Sequence, residues 1–309
     1  MSRYRLTVHR KSRKAITGIL VLTAVLALVL LALNHGARLF RMQSQSGSEI
    51  LSMSTLWSDG NYSEVVRLAE ERLAEHPMDR DALLYAAYGR FFLGISRLSY
   101  EERLNNLNTS IGYLRLLKTR GDTPNPERVN YLLGKAYLLK GPYWADLAVY
   151  YLSESLKAGY LAEDSYEFLG RSYSQLGDFE GAMDWYEKAA ETHPTDKLLL
   201  TLGEEAFRLG RYDDAAGYYK IVIKETRDDA LRKRGLSQLG QLYYDVGNYR
   251  MAQDVLERLA EMDPENADLL FLLGETYAEM GMTREARSAW HKVIRIVPRH
   301  TAALRRLYD

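Results

Sequence analysis

The chain has 309 residues, 47% of them hydrophobic and 27% charged, the balance of an ordinary globular protein, which excludes disorder over most of its length. Its 41 basic and 41 acidic residues cancel, and without its basic N-terminal tail the body is mildly acidic, which argues against nucleic acid as a partner. With no cysteine there is no disulfide, no thiolate metal site, no catalytic thiol and no cysteine for lipid attachment.

Residues 1–14 carry Arg3, Arg5, Arg10, Lys11, Arg13 and Lys14 and no acidic side chain. Ala15–Leu33 follows, uncharged and rich in Leu, Val, Ile and Ala. At about 1.5 Å per residue this stretch nearly spans a hydrocarbon core of about 30 Å, so it reads as a transmembrane signal anchor. A cleaved signal peptide is the rival reading, but its apolar run is normally about 7–15 residues and ends in a pair of small residues. Leu31-Ala-Leu-Asn-His35 offers poor ones. Only Arg38 and Arg41 follow closely on the far side, and that bias keeps the tail in the cytoplasm. Residues 34–47 then form a linker.

From residue 48 onward helix pairs are expected. Residues 48–77 form the first, through Gly60, Tyr62 and Pro77. A helix at 80–94 (Ala87, Arg90, Gly94) leads into an irregular insertion at about 95–126, with a helix near 101–118 and a loop at Gly121–Pro126. In 127–160, Leu133-Gly134-x-x-Tyr137 and Gly141 return to a pattern whose turn Pro142-Tyr143-Trp144 widens.

Four segments then repeat one pattern in register: Leu169-Gly170, Leu202-Gly203, Leu239-Gly240 and Leu273-Gly274, spaced 33, 37 and 34 residues apart. Each continues with a turn glycine (Gly177, Gly210, Gly247, Gly281) and a small residue (Ala182, Ala215, Ala252, Ala286). Three close on Pro194, Pro264 or Pro298. Leu and Tyr at i and i+4 (Leu169 and Tyr173, Leu239 and Tyr243) place one apolar stripe on the first helix, small residues allow the second helix to approach, and the turn glycine and proline end the helices. Thr301–Tyr308 reads as a closing helix.

This pattern resembles the tetratricopeptide repeat (TPR) family, whose period is 34 residues. The resemblance implies an all-α, right-handed superhelical solenoid of about seven helix pairs over 48–309, preceded by the one transmembrane helix. It also implies a concave groove lined by the second, fifth, ninth, twelfth and thirteenth residues of each unit. The candidates for protein binding there are Leu84, Tyr88, Phe91, Tyr131, Lys135, Arg171, Glu204, Phe207, Arg208, Arg234 and Tyr244, so the groove starts aromatic and turns mixed in charge. The alternative is that Tyr88, Phe91 and Tyr131 pack on the insertion. Family members that clamp a chaperone's C-terminal carboxylate use Asn at the ninth position. Here that position holds Tyr88, Lys135, Arg171, Glu204, Gln241 and Glu275, so this role is not expected.

No residue supports catalysis. His9, His35, His76, His193, His291 and His300 show no metal-ligand spacing, and there is no phosphate-binding loop or nucleophile elbow. No metal and no cofactor is expected. The reading is a non-enzymatic scaffold or adaptor, anchored in a bacterial inner membrane with its repeats outside the cytoplasm, that binds proteins or peptides of an envelope assembly: biogenesis, secretion or a periplasmic flagellar structure. The alternative is an organellar import-receptor-like protein with cytosolic repeats, which needs the reverse orientation.

Overall fold

The computed structural model describes residues 50–96 and 99–308, and no strand occurs among them. The tail at 1–14, the anchor expected at 15–33 and the linker at 34–47 lie outside the described residues, among which no helix is long and apolar enough to cross a membrane.

The chain divides into two units, with the boundary between Thr123 and Pro124. The first holds α1 (50–58), α2 (Tyr62–Glu75), α3 (Arg80–Ser96) and α4 (Tyr100–Thr119). Residues 95–126, read as an irregular insertion, thus contain a 20-residue helix, close to the one expected at 101–118. It packs along α3: Ser110 Oγ donates to the Ala87 carbonyl at 2.7 Å, and Arg90 donates to Asn106 Oδ1 at 3.1 Å.

The second unit holds α5 (Pro126–Lys140), α6 (Ala145–Lys157), α7 (Ser165–Leu176), α8 (Phe179–Thr192), α9 (Asp196–Arg208) and α10 (Tyr212–Glu225). It continues with α11 (Asp229–Asp245), α12 (Tyr249–Met262), α13 (Ala267–Glu279), α14 (Thr283–Ile296) and α15 (Thr301–Tyr308). The widened turn at Pro142–Trp144 is a short 3-10 helix. Among the described residues the two units together show seven helix pairs and a closing helix, as the repeat pattern requires.

Local chemistry explains the punctuation. Asp178, Thr195, Asp228, Asn248 and Asn266 cap α8, α9, α11, α12 and α13 by accepting from backbone N–H groups of the first turn. Gly210 ends its pair's first helix with φ +71°, a conformation that costs a side-chain-bearing residue. Along the second unit each helix packs on the next, and α9 also touches α11, as α11 does α13. The first helices therefore stand in a row. One apolar core runs through the middle of this unit, including Tyr186, Leu202, Tyr219, Leu239 and Leu256, and a smaller cluster around Trp290 and Val293 is closed by Ala303 and Leu307 of α15.

Candidate protein-binding face

The core fixes which side chains the row of first helices can present. In α9, Leu202, Gly203 and Ala206 face inward and are buried, so Glu204, Phe207 and Arg208 fall on the outer arc of the same turns. The same logic puts Lys135 and Arg171 one residue past Gly134 and Gly170, and Arg234 five residues ahead of Leu239.

Successive repeats are tied through these positions. Glu204 Oε1 accepts from Arg234 at 2.5 Å, joining α9 to α11. Two junctions toward the N-terminus, Lys135 Nζ donates to Asp164 Oδ2 at 2.8 Å and to the Tyr131 hydroxyl at 3.0 Å, while that hydroxyl donates to Asp164 Oδ1. The Lys135 ammonium lies 4.3 Å from the centre of the Phe168 ring, a cation–π contact. Both ties join the residue after a Leu-Gly glycine to the residue five before the next Leu-Gly leucine. Between α7 and α9 the link is different: Ser174 Oγ donates to Glu205 Oε1 at 2.7 Å, and Arg208 donates to the same oxygen at 2.8 Å. At the C-terminal end Glu275 takes Arg306 of α15 in a two-point contact at 3.0 and 2.5 Å.

The sequence candidates accordingly divide into groups. Tyr131 and Lys135 form one network; Glu204 and Arg234 form another; Arg208 joins Glu205 and Ser174. Phe207 lies tilted against Tyr212 and Tyr244 edge-on to Tyr249, each with ring centres 5.6 Å apart, so these two aromatic rings cover the turn into their own second helix. Leu84, Tyr88 and Phe91 belong to the other unit. Phe91 is 3% exposed, on the α3 face of Ala87 and Gly94 that meets α4, whereas Leu84 and Tyr88 are half-buried. Tyr88 lies edge-on to Trp57 of α1, ring centres 6.2 Å apart, within a cluster that includes Tyr62, Tyr85 and Phe92.

Asp164, Ser174, Glu205 and Arg306 were not among the candidates, yet they supply the partners. Asp164 had a readable signal, since it precedes Leu169 by the same five residues that separate Arg234 from Leu239. Glu205, 2% exposed, had none: an acidic residue inside a repeat reads as solvated until its neighbours are placed.

Two cavities open on this side of the second unit. One of about 160 Å³ lies among α7, α8 and α9, bordered by Glu167, Arg171, Tyr186, Lys197 and Thr201. The other, of about 390 Å³, is bordered by Arg234, Ser237, Gln241 and Asp268. Burial, with the charges of Asp164 and Glu163 nearby, raises the Glu167 carboxyl above its ordinary range, and burial pushes the Tyr186 phenol up strongly. Among the described residues no group of three or more metal-ligating side chains comes together.

Models of the tetratricopeptide repeat match residues 163–196, 200–239 and 243–308. The chain therefore carries TPR repeats from 163 to 308. A TPR repeat-containing protein of Bacillus subtilis, YpiA, is 22% identical over 197 residues, covering 62% of this chain and 45% of its own. The human protein O-mannosyl-transferase TMTC1 is 28% identical over 96 residues, 31% of this chain and 10% of its own. The chain thus spans less than half the length of these curated relatives. Among solved structures, the C-terminal part of a TPR repeat-containing protein from Cytophaga hutchinsonii aligns over 84% of this chain and all of that one, with a TM-score of 0.63 and 16% identity. A MamA double mutant aligns over 57% of this chain and 97% of that one, with a TM-score of 0.50 and 16% identity. These likenesses are of fold.

Proposed function

We propose that this protein is a non-enzymatic scaffold, anchored in a bacterial inner membrane by Ala15–Leu33, whose repeats hold proteins of an envelope assembly outside the cytoplasm. The carrying observation is the row of first helices, where polar side chains are held in place by ties between repeats. Such a surface is already ordered before a partner arrives, so binding a peptide or helix on it costs little conformational entropy. The charge bias around the apolar stretch supports the orientation. Nothing in the geometry favours the reversed, import-receptor arrangement.

A topology reporter fused after Asp309 tests the placement: one that works only outside the cytoplasm is active there, and one that works only in the cytoplasm is silent. A labelling enzyme at the same point in the native cell then recovers envelope proteins as neighbours. An active cytoplasmic reporter overturns the orientation, and labelling confined to the anchor's lipid surroundings overturns the scaffold.

A further inference from the structure

Of the four junctions between successive Leu-Gly pairs, two carry a tie of opposite charge, the last sets neutral Gln241 against Asp268, and one sets two like charges together. Where Lys135 meets Asp164 and Glu204 meets Arg234, the residue after the glycine of one Leu-Gly pair is neutralised by the residue five before the leucine of the next. At the junction between them those two places hold Arg171 and Lys197, both positive. Both are exposed and border the 160 Å³ cavity, and neither side chain has an ion-pair or hydrogen-bond partner among the described residues. Glu167 borders the same cavity one helical turn before Arg171, yet makes no ion pair with it. Its carboxyl is raised by burial and by Asp164 and Glu163.

We propose that this gap is the anchoring subsite of the partner-binding face, and that it takes an acidic side chain, Asp or Glu, from an extended segment of a protein partner. This rests on the scaffold reading above and adds the chemistry of what is bound. A carboxylate placed between Arg171 and Lys197 completes the alternation that the flanking junctions already satisfy, with hydrogen bonds strengthened by charge on both sides. The cavity volume matches roughly five waters at about 30 Å³ each, which suits one carboxyl-bearing side chain and not a folded domain. The flanking ties leave the neighbouring cations already engaged, so Arg171 and Lys197 are the pair that discriminates for an acid.

The test uses the full chain in a neutral detergent and a dye-labelled hexaglutamate peptide, acetylated and amidated at its ends, with hexaglutamine as control. Hexaglutamate binds, hexaglutamine does not, and raising the salt weakens binding. The double variant Arg171→Gln with Lys197→Gln loses about tenfold or more in affinity, whereas Lys224→Gln with Arg258→Gln, the same charge loss on second helices, leaves it unchanged. Arg171→Glu with Lys197→Glu gains binding to hexalysine. Equal loss in the two double variants reduces the effect to net charge and overturns the proposal, as does no binding of hexaglutamate to the native chain. Two further probes separate the sources of the anion. Binding only of pentaglutamine with a free terminal carboxylate, or only of vesicles containing an anionic lipid, overturns the side-chain assignment. If the Gln variant loses hexaglutamate yet its labelled neighbours in the cell are unchanged, the subsite is rejected as the partner anchor while the scaffold reading stands.

Discussion

The Tyr219 ring of α10 lies against the backbone of Gly203 in α9 so closely that a Cβ there would come within 2.4 Å of the ring. The same fit recurs where Tyr186 meets Gly170, Leu256 meets Gly240 and Trp290 meets Gly274. Each pair thus locks a large side chain of the second helix into the notch left by a glycine of the first.

Gly203→Ala is therefore expected to destabilise the second unit by about 1–3 kcal/mol, although alanine is the better helix former by about 1 kcal/mol. Tyr219 is 1% exposed and has no room to retreat. Ala252→Leu, at a fully buried small position of α12, carries a similar cost. Urea unfolding followed by circular dichroism measures both, and a Gly203→Ala variant more stable than the native chain contradicts the notch.

In the first unit Glu70 joins three helices. Its carboxylate accepts from Arg90 at 2.8 and 2.7 Å and from the Tyr113 hydroxyl at 3.1 Å. Replacing Glu70 by Ala leaves Arg90 and Tyr113 without this partner and is expected to cost about 1–3 kcal/mol. Removing Tyr113 as well should add less than its own separate cost, because both changes break one network. Strict additivity in the double-mutant cycle would show that the network is not a unit.

Asp79 gives the first unit a dependence on acid. Burial raises its carboxyl, but hydrogen bonds from Arg72 and the Ala82 backbone N–H outweigh it, and the net shift is below the ordinary value. A carboxylate with a depressed folded pKa adds stability that is complete above its unfolded value of about 3.9 and is lost as the pH falls through the lower folded value. Asp79→Asn should be less stable at neutral pH and should lose less between pH 5 and the acid limit. Parallel stability curves for the two proteins over that range would reject the assignment.

The closing helix depends on a charged contact as well as on Ala303 and Leu307. Glu275, 9% exposed, is neutralised by Arg306. Glu275→Gln is expected to loosen α15 selectively, raising hydrogen exchange there several-fold with little change in α9 or α11. Uniform acceleration across the unit would mean that α15 does not open on its own.

How far the sequence determined this protein follows from the range of the forces involved. The helix pairs, their turns and the closing helix are legible in the chain because they rest on local chemistry: the Leu-Gly pair, the left-handed glycine of the turn, the capping Asp, Asn or Thr, and the proline past the second helix. Even 95–126, which breaks the pattern, shows its helix near 101–118, though not that Ser110 and Asn106 dock it on α3. The ties between repeats were not legible, because they depend on how one helix pair is rotated against the next. Lys135 and Glu204 read alike as groove candidates; only the packed row shows each paired with its opposite, and Arg171 and Lys197 bordering one cavity. Phe91 and Tyr88 are likewise equivalent in sequence, and it is the position of α4 that buries one and leaves the other half-exposed beside Trp57.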